Sequence, residues 1–328
     1  MSDYELLKSR RITIMGVAAL WIMLFHSTIQ VPIRIVEIFC RLGYLGVDIF
    51  MFISGFSMRH SYDRSVDCKD FYLKRIKRII PAFIPFAVVW WIYNIFFEYG
   101  SFARFVDIVS VSDLFVFIVT FRWFVPCICL FYLITPFIDR VVNKNDDIYP
   151  TVILLIISIL MAMPFAIIGS SVALMMLIRL PEYIVGYFCG GIKTGHSNLV
   201  FRFIVIIMMF ALYWFLLYTF SDERLSDTGL YWWPAVLGVG SMTILVAKIR
   251  IADNLFGFLG KYSLELYLWH YFIMLRIEAL FRKRSLPQDR YGLFVAIVSI
   301  VVTCLFCVMY SKILDICKSL VDEKNRKK

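Results

Sequence analysis

Apolar runs of about 18 or more residues recur along this chain, and a run of that length is what a helix needs to cross a lipid bilayer. Composition leaves little room for another reading. The 328 residues are 61% hydrophobic and 18% charged, whereas soluble domains run about 45–50% apolar and about 25% charged. That is too little polar surface to cover two soluble domains. Disordered, collagen-like, coiled-coil and disulfide-scaffold classes fail on the same composition. The expectation is an all-α polytopic membrane protein.

Ten spans can be drawn: 12–29, 43–58, 82–97, 123–140, 151–168, 172–192, 201–220, 231–247, 255–275 and 291–314. No small-x-small cleavage site follows Lys8, Arg10 and Arg11, so the first run reads as an uncleaved helix with its N-terminus in the cytoplasm. Ten spans put both termini on that side. The positive-inside rule agrees: 22 basic residues fall in the proposed inner segments and 10 in the outer ones, although Arg282, Lys283 and Arg284 cluster outside. The net charge of +10 is thereby assigned to topology and not to nucleic acid. No segment is long and polar enough for a second domain; the longest connections, 57–81 and 99–113, are short. The chain reads as one membrane-embedded domain over 1–328, with a helical core at about 12–314 and a short basic cytoplasmic tail at 315–328. It has no internal repeat of the transporter kind and no glycine-rich phosphate loop. Cys127 with Cys129, and Cys304 with Cys307, lie inside apolar runs, where cysteine is a small buried hydrophobe; no metal site is expected.

Ionisable residues inside spans are functional candidates, because placing charge in a bilayer costs on the order of 3 kcal/mol on insertion scales. They are His26, Asp48, Arg179, Glu182, Lys261, Glu265 and His270. At about 1.5 Å per residue, His26, Asp48 and His270 all fall in the outer half of the membrane. A carboxylate beside a histidine fixes its tautomer and stabilises the imidazolium, as a general base requires. The bland alternative is histidine hydrogen-bonded to a neighbouring helix for packing. A second constellation lies on the cytoplasmic side, where Lys74, Arg75, Lys77 and Arg78 follow one another. On a helix 74 and 78 share a face. Such a cluster suits phosphate, or equally the headgroups of anionic lipids.

Five stretches, in order, carry a resemblance. Residues 46–56 read GVDIFMFISGF and 71–81 read FYLKRIKRIIP. Trp123-Phe124 is followed by Tyr132-Leu133 and Pro136; Arg179-Leu180-Pro181-Glu182-Tyr183 is followed by Gly186; residues 259–270 read LGKYSLELYLWH. Together they resemble the acyltransferase-3 family of integral membrane O-acyltransferases. The resemblance implies transfer of an acyl group, commonly acetyl, from cytoplasmic acyl-CoA to a hydroxyl, often on a cell-surface or lipid-linked glycan, in a bacterial inner membrane. It implies His26 and Asp48 as catalytic residues. Arg11, Lys74, Arg75 and Arg78 would bind the donor, and Arg122, Trp123, Arg179, Glu182 and His270 the acceptor. The outer Arg122 and Trp123 suit a sugar, though an interfacial aromatic belt has the same composition. In one respect the sequence departs from the pattern. The family has a cation eleven positions before the first histidine, and that slot holds Met15. Arg11, one turn earlier on nearly the same face, is expected to substitute. A transporter or scaffold that kept the fold and lost the chemistry is the competing class, and a lipid or small-molecule acceptor the competing substrate.

Overall fold

A computed structural model describes residues 1–27, 34–97, 123–142, 148–168, 171–193, 198–219, 234–282 and 288–326. Among them every regular element is helical. In chain order these are α1 (Asp3–His26), α2 (Arg34–Arg41), a short 3-10 turn (Leu42–Tyr44), α3 (Leu45–Asp63), α4 (Cys68–Phe97), α5 (Phe124–Val142), α6 (Tyr149–Ile168) and α7 (Ser171–Leu177). There follow α8 (Leu180–Cys189), α9 (Leu199–Thr219), α10 (Ala235–Lys248), α11 (Asp253–Lys261), α12 (Ser263–Arg282) and α13 (Gln288–Arg326). Among the described residues three stretches, Cys68–Tyr93, Phe124–Val142 and Gly292–Leu320, are long and apolar enough to cross a bilayer, and three shorter helices are also apolar.

Several boundaries differ from the sequence expectation, each for a local reason. The first helix begins nine residues early, at Asp3, with Asp3 and Glu5 in its first turn, where carboxylates complement the helix dipole. The stretch 57–81, expected to be a connection, is almost all helix. Asp67 caps α4 by accepting the N–H of Asp70 at 2.7 Å, a standard N-cap bond. Pro81 and Pro85 are absorbed inside α4, as prolines often are in membrane helices. The expected span 172–192 is broken instead. Pro181 has no N–H for the carbonyl of Leu177, and its ring crowds that turn. So α7 stops at Leu177 and α8 restarts at Leu180 with proline in its first turn, the position proline favours. The break holds Arg179. The span 255–275 likewise divides at Tyr262. The tail is helical to Arg326.

The chain forms two compact units. One comprises Met1–Ile14, Val47–Arg75 and Phe115–Ile251; the other Met15–Gly46, Ile76–Leu114 and Ala252–Lys328. In the first, α3 and α8 approach to backbone contact. A Cβ on Gly55 would sit 2.0 Å from the carbonyl of Tyr183, and one on Gly186 would sit 2.0 Å from that of Phe52. Small residues permit this kind of helix packing in membranes. Thr135 of α5 bonds the buried Tyr183 hydroxyl at 2.6 Å. In the second unit, Trp269 of α12 packs edge-on against Phe86 of α4 at 4.9 Å and Phe306 of α13 at 4.8 Å. Gly16 of α1 lies against α11, where a Cβ would meet the carbonyl of Phe256 at 1.9 Å.

Candidate active site

The two histidines expected within apolar runs meet. His26 is the last residue of α1 and His270 lies in α12, 244 residues apart; His270 Nε2 and His26 Nδ1 are 3.3 Å apart. Their rings stand edge to face at 4.9 Å, with Tyr271 at 5.4 Å from the His26 ring. The hydrogen-bond partners assign the protons. His270 Nδ1 faces the carbonyls of Leu266 at 3.0 Å and Tyr267 at 2.8 Å. A carbonyl only accepts, so Nδ1 carries the hydrogen, and Nε2 of the neutral ring carries the lone pair. His26 Nδ1 faces that lone pair and the carbonyl of Ile22 at 3.0 Å. It is therefore a donor, which puts the lone pair of His26 on Nε2. In both rings Nδ1 bonds the carbonyl four residues back, Ile22 for His26 and Leu266 for His270.

In the first unit, Asp48, Arg179 and Glu182 are buried together, exposed by 1%, 3% and 0%. Asp48 lies in the first turn of α3 and Glu182 in the first turn of α8. Nη1 of Arg179 donates to Oδ1 of Asp48 across 131 residues. The break before Pro181 is what turns Arg179 towards α3. Asp48 Oδ2 and both carboxyl oxygens of Glu182 are buried without a hydrogen bond among the described residues. Such orphaned polar atoms are uncommon in folded proteins and call for an explanation such as a functional role. Asp48 thus has one oxygen engaged by arginine and a second still able to accept.

The basic residues of α4 are differently employed. Lys74 is exposed and paired with Asp70 at 2.6 Å. Arg75 is half-buried, bonds Ser61 and lies over the Phe71 ring at 5.6 Å. Arg78 is exposed. Arg11 is half-buried in the third turn of α1, and Met15 is half-buried one turn on. Trp123 precedes α5, half-buried, its ring 6.2 Å from Phe124. Arg122 lies outside the described residues.

Sequence reasoning missed a set of polar contacts in the first unit. Asp3 pairs with Arg202, which is only 2% exposed. The Tyr4 hydroxyl meets His60 Nε2 at 2.7 Å, with the rings stacked at 5.2 Å. Tyr187 donates to Asp139 at 2.7 Å, and Arg59 lies 3.9 Å from the same carboxylate. His60 lies beyond the predicted span. Burial, followed by the Arg64 guanidinium, pushes its imidazole below the usual histidine range, with Asp63 opposing. Arg202 inside an apolar run was the signal for one of these contacts; nothing in the sequence names its partner.

Comparison with known proteins adds a family. The model of the acyltransferase-3 family, described as an acyltransferase domain, matches residues 14–311. The protein named "Putative acetyltransferase ORF330" from Acidianus two-tailed virus is 26% identical over 277 residues, covering 78% of this chain and 80% of that one. No solved structure matches.

Proposed function

Because this chain belongs to the acyltransferase-3 family, we propose that it is a membrane O-acyltransferase that moves an acyl group, acetyl in the simplest case, from cytoplasmic acyl-CoA to a hydroxyl of a cell-surface or lipid-linked glycan. The reading makes it a multi-pass protein of a bacterial inner membrane, with about ten spans and both termini inside.

The observation that carries this reading is the histidine pair. His26 Nε2 bears the lone pair that a general base uses, and His270 holds the opposite nitrogen as a donor. In the proposed step Nε2 takes the proton of the acceptor hydroxyl while its oxygen attacks the thioester carbonyl. The tetrahedral oxyanion collapses, the carbon–sulfur bond breaks, and the imidazolium returns its proton to the coenzyme A thiolate. During that step the bond from His26 Nδ1 to His270 becomes charge-assisted and strengthens. The family resemblance assigns Asp48 to catalysis as well, and its Oδ2 carries no hydrogen bond among the described residues. Arg179 and Glu182, with Arg122 and Trp123, serve the acceptor.

Donor binding falls to Arg11, Lys74, Arg75 and Arg78. Helix α1 runs without a break from Arg11 to His26, a rise of about 22 Å, comparable to an extended pantetheine arm. Phosphates held near Arg11 would therefore leave the thioester near His26. Membranes carrying the protein should transfer label from isotope-labelled acetyl-CoA to surface polysaccharide, and His26→Ala should abolish it. Solute flux without thioester consumption would instead favour a transporter or scaffold, the reading that Met15 supports.

A further inference from the structure

Residues 3–10 lie ahead of the family-matched stretch, yet they make some of the most specific contacts in the first unit. Asp3 pairs with the buried Arg202 of α9. Tyr4 bonds His60 of α3 at 2.7 Å and packs on Phe56 at 5.8 Å. Arg10 donates to the carbonyl of Ile249, just past α10, at 2.6 Å. Leu6 and Leu7 are buried between these anchors. One short helical segment is thus tied to three separate elements of its own unit.

The positions matter as much as the bonds. At 100° per residue, residues seven apart differ by about 20°. Asp3 and Arg10 therefore share one face, and Tyr4 and Arg11 share another. Anchors on two faces fix both the rotation of α1 about its axis and its axial position. Without them, the first turns of a helix have unsatisfied N–H groups and fray. Arg11, directly after Arg10, inherits its direction from this clamp. In most helices a misdirected arginine is harmless. Here the cation slot four residues later holds Met15, so Arg11 has to be aimed without help from that position.

We propose that Asp3, Tyr4, His60 and Arg202 form an N-terminal clasp that positions Arg11 for the phosphates of the acyl donor. They are positioning residues and touch no reacting atom. The inference rests on the acyl-CoA reading above, and two readouts separate them. The first is trypsin cleavage of the purified full-length protein after Lys8, Arg10 and Arg11, followed by mass spectrometry. The second is titration with coenzyme A, paired with the KM for acetyl-CoA and kcat.

Asp3→Asn and Tyr4→Phe should speed cleavage. Each should weaken coenzyme A binding about ten-fold, the lower end for a lost charge-assisted contact, and raise KM with kcat retained at saturating donor. Should Asp3→Asn impair folding, the exchanged pair Asp3→Arg with Arg202→Asp decides: recovery of slow cleavage and tight binding is the expected result. Cleavage unchanged in Asp3→Asn and Tyr4→Phe overturns the clasp. Faster cleavage with wild-type coenzyme A affinity overturns its positioning role. Wild-type affinity in Arg11→Ala overturns instead the assignment of Arg11 to the donor.

Discussion

Replacing His270 by phenylalanine tests the chemistry of the histidine pair most directly. Phenylalanine keeps the aromatic volume beside His26 but removes the Nε2 that faces His26 Nδ1 at 3.3 Å. The base itself survives. Its Nδ1–H also retains the carbonyl of Ile22 at 3.0 Å, so the tautomer with a lone pair on Nε2 is kept. What disappears is the bond that becomes charge-assisted when His26 takes a proton. Such bonds contribute about 1.5–3 kcal/mol, and each 1.36 kcal/mol is about ten-fold in rate. We therefore expect His270→Phe to lower kcat by roughly ten- to a hundred-fold. His26→Ala removes the base and should cost more, on the order of 10²–10⁴-fold. The assay is transfer from labelled acetyl-CoA in membranes at matched protein levels, with kcat and both KM values determined. Unchanged turnover in His270→Phe would refute the pairing argument. A loss as deep as that of His26→Ala would put His270 on the reacting atoms, and a change confined to the acceptor KM would make it a substrate contact.

The remaining expectations concern the scaffold. Arg179→Met leaves the buried Asp48 carboxylate unpaired and should destabilise the protein by about 3–5 kcal/mol; Asp48→Asn in the same chain should recover most of that, read by thermal unfolding in detergent. Gly186→Ala drives a Cβ to within 2.0 Å of the Phe52 carbonyl, which should cost more than about 3 kcal/mol because backbone cannot step aside as a side chain does, and the protein should lose its monodisperse peak on size-exclusion chromatography. His60 gives a pH signature. Its neighbours are Tyr4 and Lys8 on α1, Arg59 and Asp63 on α3, and Arg64 just past it. Since burial lowers its folded pKa below the ordinary histidine value of about 6.5, the unfolded chain takes up a proton first. Stability should be highest above pH 6.5 and fall as pH drops through the lowered folded value. His60→Phe should flatten that part of the unfolding-temperature profile relative to wild type, and equal slopes would refute the assignment.

The helical class was legible from the apolar runs alone, because a bilayer leaves the backbone of each such run to satisfy its own hydrogen bonds. His26, Asp48, Arg179, Glu182 and His270 stood out for the same reason: an ionisable group in an apolar segment is conspicuous wherever its helix packs. The spacing of Pro181 after Arg179 even contained the helix break, which the span prediction passed over in favour of a continuous run. Partnership was another matter. Depth grouped Asp48 with the histidines, but it could not show that Arg179 holds one Asp48 oxygen or that His26 faces His270. Asp3 with Arg202, and Tyr4 with His60, had no sequence signal pointing from one to the other. In a soluble helix the apolar stripe shows which side faces the protein. In a bilayer, lipid and protein interior are equally apolar, so that signal vanishes, and helix faces are chosen by close packing, small residues and polar bonds. Gly55 and Gly186 decide by shape which face of α3 meets α8, and shape complementarity between distant segments comes into being only when the chain is folded.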